Sequence, residues 1–170
     1  ITHKTLNKDN PKLNCRLHGL SRFSPKRVIL DNNLDIKTSS YIFKTANKHN
    51  TIVFYNSADR KKIILFKKKG IHLIKSKLIK NKYFDLKVVL KKLYNIGCRN
   101  ILIEGGNVLS GSFLKNKLFN QFYLFKSNKI FKKNLSYKEF NHIKFLIQNY
   151  KIKFKIKIIT GKDKITLYKK

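Results

Sequence analysis

Apolar positions along the chain change their period in a regular way, and the changes mark the elements. Lys26 to Asp31 (KRVILD) and Thr51 to Tyr55 (TIVFY) are short apolar or β-branched runs, each of strand length. Ile71 to Ile74 is a third run of that kind. Between them, Thr38 to Asn47 places Tyr41, Ile42, Thr45 and Ala46 at helical spacing. Asp59 to Lys69 is read as a helix because Gly70 stands where a C-cap is needed. Asp85 to Ile96 is the clearest helix: Leu86, Val89, Leu90, Leu93 and Ile96 fall on one face, and Gly97 ends it.

The next stretch organises the rest. Asn100 to Ile103 predicts a buried core strand, Glu104-Gly105-Gly106 a tight turn, and Val108, Leu109, Phe113 and Leu114 a following helix. Gln121 to Lys126 reads as another strand, and Asn128 to Asn149 has no decisive period. Lys151 to Thr160 alternates strictly, Gly161-Lys162-Asp163 is a turn, and Ile165 to Tyr168 returns, which predicts a terminal hairpin. Residues 1 to 24 show no clean period, although Asp9-Asn10-Pro11 is a turn signal. Strands alternating with helices, closed by a hairpin, predict an α/β domain with a mainly parallel twisted sheet, flanking helices and an antiparallel edge. In such sheets ligands bind beyond the carboxyl ends of the strands.

Composition changes this picture little. A length of 170 residues, 42% hydrophobic, allows one domain with a real core. No apolar run approaches the roughly 20 residues that cross a bilayer, and the polar start carries no signal-peptide pattern, so a cytoplasmic protein is expected. The net charge of +32 comes from lysines and only five arginines, Arg16, Arg22, Arg27, Arg60 and Arg99. Lysines lie along every element, and Asn and Ile are also heavily used, so AT-rich coding accounts for the charge better than a nucleic-acid surface does. Cys15 and Cys98 are isolated, so two reduced thiols are expected. No metal ligand set is expected. The chain has no Met, even at position 1, and is expected to be a fragment.

Candidate chemistry gathers at the glycine turn. A strand feeding a helix through glycines presents backbone N–H groups at the positive end of the helix dipole, where phosphates bind. Glu104 is one of only two glutamates, with Glu139. At the end of an apolar strand it is either buried and paired or reaches solvent. The stretch lacks the G-x-G-x-x-G dinucleotide fingerprint.

Two motifs carry a family resemblance. ILIEGGNVLSGSFLKNKLFNQFYLF, preceded by DLKVVLKKLYNIG, and TLNKDNPKLNCR, followed by SPKRVILD, resemble the reductase domain of the bifunctional riboflavin-biosynthesis deaminase–reductase. The resemblance runs from Thr5 to Lys170 and implies a dihydrofolate-reductase-like fold. It implies reduction by NADPH of the ribosyl chain of 5-amino-6-(5-phosphoribosylamino)uracil to a ribityl chain, and a homodimer with contacts in the C-terminal strands. By motif position, Thr5, Asp9, Asn32 and the run Gly106, Asn107, Val108, Leu109, Ser110, Gly111 and Ser112 would contact the cofactor. Leu13, Arg16 and Glu104 would contact the substrate. No acid–base residue is assigned.

The chain also departs from the family. Asn120-Gln121 replaces an acidic pair, and a loop proline is missing from KSNKIFKKN. The strand and helix that open the family's reductase domain do not precede Thr5, so residues 1–170 are expected to form a single reductase domain incomplete at its N-terminus, and poorly active alone. The deaminase domain is expected to be absent too, since no His begins H-x-E and no P-C-x-x-C occurs. The competing readings are a pterin or folate reductase of the same fold and a basic nucleic-acid-binding module.

Overall fold

The structure, a computed structural model, describes residues 1–127, 142–156 and 163–169. It forms two compact units, Ile1–Gly105 and Gly106–Lys170.

The first unit is layered α/β. Helix α1 (His3–Asp9) is followed by strand β1 (Arg27–Leu30), a single helical turn α2 (Tyr41–Lys44) and β2 (Thr51–Tyr55). Then come α3 (Arg60–Lys68), β3 (His72–Lys75), the short pair β4 (Leu78–Ile79) and β5 (Tyr83–Phe84), and α4 (Leu86–Asn95). The sheet order is β1-β2-β3, parallel throughout, with Ile29 opposite Val53 and Val53 opposite Leu73. Because side chains alternate along a strand, the sheet buries both faces. Ile29 and Val53 face Leu6, Ile42, Phe43 and Phe66 from the first three helices. Ile52 and Phe54 face Val89 and Leu93 of α4. The predicted strand Thr51 to Tyr55 has the observed bounds. The predicted helices at 59–69 and 85–96 form one residue inside each end, with Asp59 and Asp85 as their N-caps.

Three expectations are corrected. Residues 3 to 9 are helical although no period announces it, since Leu6 is the one buried residue in that helix. The helix expected over 38–47 is reduced to one turn, because Thr45 serves instead as an acceptor for Arg27. The apolar run at 101–103 is not a strand: residues 101–106 have no regular structure, and Leu102 is 78% exposed. A strand needs a neighbour's ladder bonds as well as apolar residues. The outer edge of β1 is taken by the chain start, where Thr2 bridges Leu30 in parallel and Leu30 N–H donates to the Ile1 carbonyl at 2.9 Å.

In the second unit, α5 (Asn107–Lys115), β6 (Gln121–Lys126), α6 (Ile143–Asn149), β7 (Lys153–Ile156) and β8 (Lys164–Lys169) follow in order. The antiparallel sheet is ordered β6-β8-β7. Leu114, Leu146, Tyr150 and Tyr168 form its core. The predicted strand at 121–126 has the observed bounds, and the terminal hairpin forms from β7 and β8. Residues 161–162 of the predicted turn at 161–163, and the end of its first strand, 157–160, lie outside the described residues. The α/β class with a parallel sheet and a C-terminal antiparallel hairpin is the one expected.

Candidate functional site

In the first unit the candidate residues are placed by the direction of the strands. Thr2 pairs with Leu30 in parallel, so the chain leaves that bridge toward the carboxyl end of the sheet and turns there into α1. The Thr2 side chain caps the helix by accepting from Thr5 N–H at 3.4 Å, and the two threonine hydroxyls lie 3.2 Å apart. Thr5 is therefore half-buried in the first turn, and Asp9 is exposed at the last residue of the same helix. Asn10 ends the helix in the left-handed region, at φ 43°, where Asn is better tolerated than most residues. Its side chain then accepts from Tyr41 N–H at 2.8 Å. Leu13 also has positive φ and packs half-buried on the core, while Arg16 is exposed.

Asn32 stands just past β1. Its carbonyl accepts from Asn56 and Ser57 N–H, at 2.9 and 3.0 Å, and its side chain donates to the Lys82 carbonyl at 3.3 Å. The ends of β1 and β2 are thus bound together where the fold rule puts a ligand. Beside them opens a cleft of about 580 Å³, bordered by Asn56, Lys75, Ser76, Lys77, Asp85 and Lys92. Lys92 reaches back across it to the Lys75 carbonyl at 2.6 Å. Leu78, Ile79 and Val88 also line it, so the cleft is largely apolar, with three lysines, Lys75, Lys77 and Lys92, on its border that suit a ligand carrying phosphate.

Glu104 is exposed, so of the two readings of this carboxylate it takes the solvent-reaching one. Its carboxylate acts electrostatically on the Ile1 nitrogen, which donates to the Val28 carbonyl at 2.8 Å. Glu104 therefore lies within electrostatic reach of the start of α1 and the edge of β1.

The second unit holds the other candidates. Gly106 caps α5 with extended backbone and, lacking a side chain, places no capping oxygen against the first-turn amides. Val108 is exposed; Asn107, Ser110 and Ser112 are half-buried; Leu109 and Gly111 are buried. A Cβ on Gly111 would collide with the His142 imidazole, so glycine is needed there for close packing inside this unit. Ser112 Oγ donates to the Val108 carbonyl at 2.8 Å, a bond within the helix.

One group escaped the sequence reading. Asp31, the last residue of the RVILD run, is fully buried, and one ligand atom each from His3, Asp31 and Asp35 lie within 4.8 Å of one another. Like Glu104, Asp31 is a scarce acid closing an apolar run, and that signal marks it in the sequence.

Comparison with known proteins follows the same outline. The family model described as RibD C-terminal domain matches residues 1–131. The riboflavin biosynthesis protein RibD of Aquifex aeolicus is 27% identical over 166 residues, which is 98% of this chain and 44% of that protein. That of Actinobacillus pleuropneumoniae is 30% identical over 122 residues, covering 72% of this chain and 32% of its own length. The chain thus spans less than half the length of these curated relatives. Among solved structures, Acinetobacter baumannii RibD superposes with a TM-score of 0.70 at 19% identity, over 99% of this chain and 45% of the other. A pyrimidine reductase-like protein from Corynebacterium diphtheriae also gives 0.70, at 16% identity, over 99% of this chain and 73% of its own. These likenesses show the fold.

Proposed function

Because the chain belongs to the RibD C-terminal domain family, we propose that residues 1–170 act as the reductase domain of a riboflavin-biosynthesis enzyme. The substrate is 5-amino-6-(5-phosphoribosylamino)uracil, and the product carries the reduced, ribityl side chain. The reading rests on one observation above the rest: α1, bearing Thr5, and the loop bearing Asn32 both start at the carboxyl end of the parallel sheet.

The donors present fit a phosphorylated dinucleotide. The cleft in the first unit is bordered by Lys75, Lys77 and Lys92, and in the second unit α5 begins at a glycine that supplies no capping oxygen of its own. Thr5, Asp9 and Asn32 in the first unit, and Gly106 to Ser112 in the second, are assigned to NADPH. Within that run, the exposed Gly106 and Val108 and the half-buried Asn107, Ser110 and Ser112 are the accessible members, whereas Gly111 serves packing. Bound there, NADPH supplies a hydride. Leu13, Arg16 and Glu104 are assigned to the substrate. The Arg16 guanidinium can hold a phosphate or a ring edge bidentately, and the exposed Glu104 carboxylate can accept from sugar hydroxyls or amino groups. Their task is orientation, since hydride transfer needs aligned carbons and no nucleophilic side chain.

The protein is further read as cytoplasmic and homodimeric; among the described residues no helix is long and apolar enough to cross a membrane. Dimer contact is assigned to the C-terminal sheet, where Tyr123, Leu167 and Phe154 align on one face and Tyr123 and Phe154 are exposed.

The test is NADPH consumption by the protein that carries this chain, with the pyrimidine substrate and with a dihydropterin. Turnover of the pyrimidine alone is expected, and Glu104→Gln should lower kcat/KM about tenfold or more, roughly 1.4 kcal/mol, with NADPH affinity unchanged. Turnover of the pterin instead, or an unaffected Glu104→Gln enzyme, overturns the assignment.

A further inference from the structure

The carboxyl end of β1 holds side chains that the reductase reading leaves unused. Asp31 is 0% exposed. Its N–H donates to the Phe54 carbonyl at 2.9 Å, and its Oδ2 accepts from Ile36 N–H at 2.9 Å. Its Oδ1 is buried without a hydrogen bond. In a chain with 40 basic residues, a buried carboxylate oxygen without a donor is conspicuous.

What lies against that oxygen is a metal-ligand type. His3 Nδ1 is 3.5 Å away, an ion-pair distance without hydrogen-bond geometry, and the imidazole is 20% exposed. Asp35 supplies the third ligand atom of the group. Two ligands on a tetrahedral ion with bonds of about 2.0–2.1 Å stand roughly 3.3–3.5 Å apart. The His3–Asp31 separation has that span.

A cation already competes on the rim. Lys62 Nζ lies 2.8 Å from Asp35 Oδ1 and donates to the Asn33 carbonyl at 3.1 Å. Both partners of this pair are well exposed, so solvent screens it and Asp35 can be exchanged at small cost. The buried Asp31 oxygen faces the His3 imidazole, itself one of the ligand types.

We propose that His3, Asp31 and Asp35 bind a divalent first-row transition-metal ion of the zinc type, with water completing its shell. One imidazole nitrogen with two carboxylate oxygens selects such an ion over calcium or magnesium, which take all-oxygen shells. The ion ties the start of α1 to the end of β1 and to the loop beyond it. Its role is to hold the elements that carry Thr5 and Asn32, and the site stands whether or not those residues contact a cofactor.

Chelator-treated protein is titrated with zinc chloride by calorimetry, with thermal melting alongside. The chain should bind one equivalent at this site, with a rise in Tm. Asp31→Asn should weaken binding about tenfold or more. His3→Gln, altering a partly exposed side chain, provides the same readout if the Asp31 variant fails to fold. Lys62→Ala should tighten binding several-fold by removing the competing ammonium, a change that a purely structural ion pair would not produce. Zinc binding that His3→Gln leaves unchanged, binding lost only with Cys15→Ser or Cys98→Ser, or no binding at all overturns the proposal.

Discussion

Arg27 shows how much one side chain can organise. It begins β1, is 6% exposed, and among the described residues has no carboxylate within ion-pair distance. Its guanidinium donates to Thr45 Oγ1 at 2.8 Å, the Thr45 carbonyl at 3.0 Å, Asn50 Oδ1 at 2.9 Å and Thr51 Oγ1 at 2.8 Å. These bonds join the start of β1 to the end of α2 and the start of β2. Lysine keeps the charge but loses the fork, leaving acceptors without donors. Arg27→Lys is therefore expected to destabilise the protein by about 2–3 kcal/mol, read as a lower urea midpoint with an unchanged slope. Nothing in the order of residues marks Arg27 among so many lysines; its importance follows from burial alone. Asp31 and Glu104 make the same point as a pair. Both are acids beside apolar runs, yet one is sealed in the core and the other is exposed.

At the scale of elements, local signals were strong where neighbours in sequence were enough. Asp59 and Asp85 cap α3 and α4 by accepting from first-turn amides: Lys62 N–H at 2.8 Å for Asp59, and Lys87 and Val88 N–H at 2.9 and 3.3 Å for Asp85. Asp85→Ala should cost about 1 kcal/mol and lower the helical circular-dichroism melting temperature. An unchanged melting curve would show that the cap contributes nothing net. Gly97, at φ 89°, closes α4 in the left-handed region, as the sequence suggested. Elements with weak local patterns went unseen. Helix α1 buries only Leu6, so no apolar stripe marked it. The hairpin of β4 and β5 turns on Lys80 and Asn81, both with positive φ, and Lys gives no hint of such a turn. The reverse error is the run at 101–103, whose composition is that of a strand but which finds no ladder partner among the described residues.

For the whole molecule the dominant quantity is charge. A net +32 spread over 170 residues repels itself in the compact state. Raising sodium chloride from about 20 to about 300 mM shortens the screening length, and Tm should rise by several degrees. A Tm that falls or stays level would mean that surface ion pairs offset the repulsion. Among the described residues the carboxylate–ammonium pair within bridging distance is Lys62–Asp35, which makes that outcome the less expected one.

The order of residues determined the α/β class, the parallel strands with their helices, the caps and the closing hairpin, because periodicity and capping depend on residues a few positions apart. Its family motifs also pointed to one chemistry. Tertiary structure alone decided that 101–103 stays outside the sheet, that Gly111 makes room for His142, and that His3, Asp31 and Asp35 converge. Each of those depends on which distant group supplies a hydrogen bond, a packing surface or a counter-charge, and no local pattern carries that information.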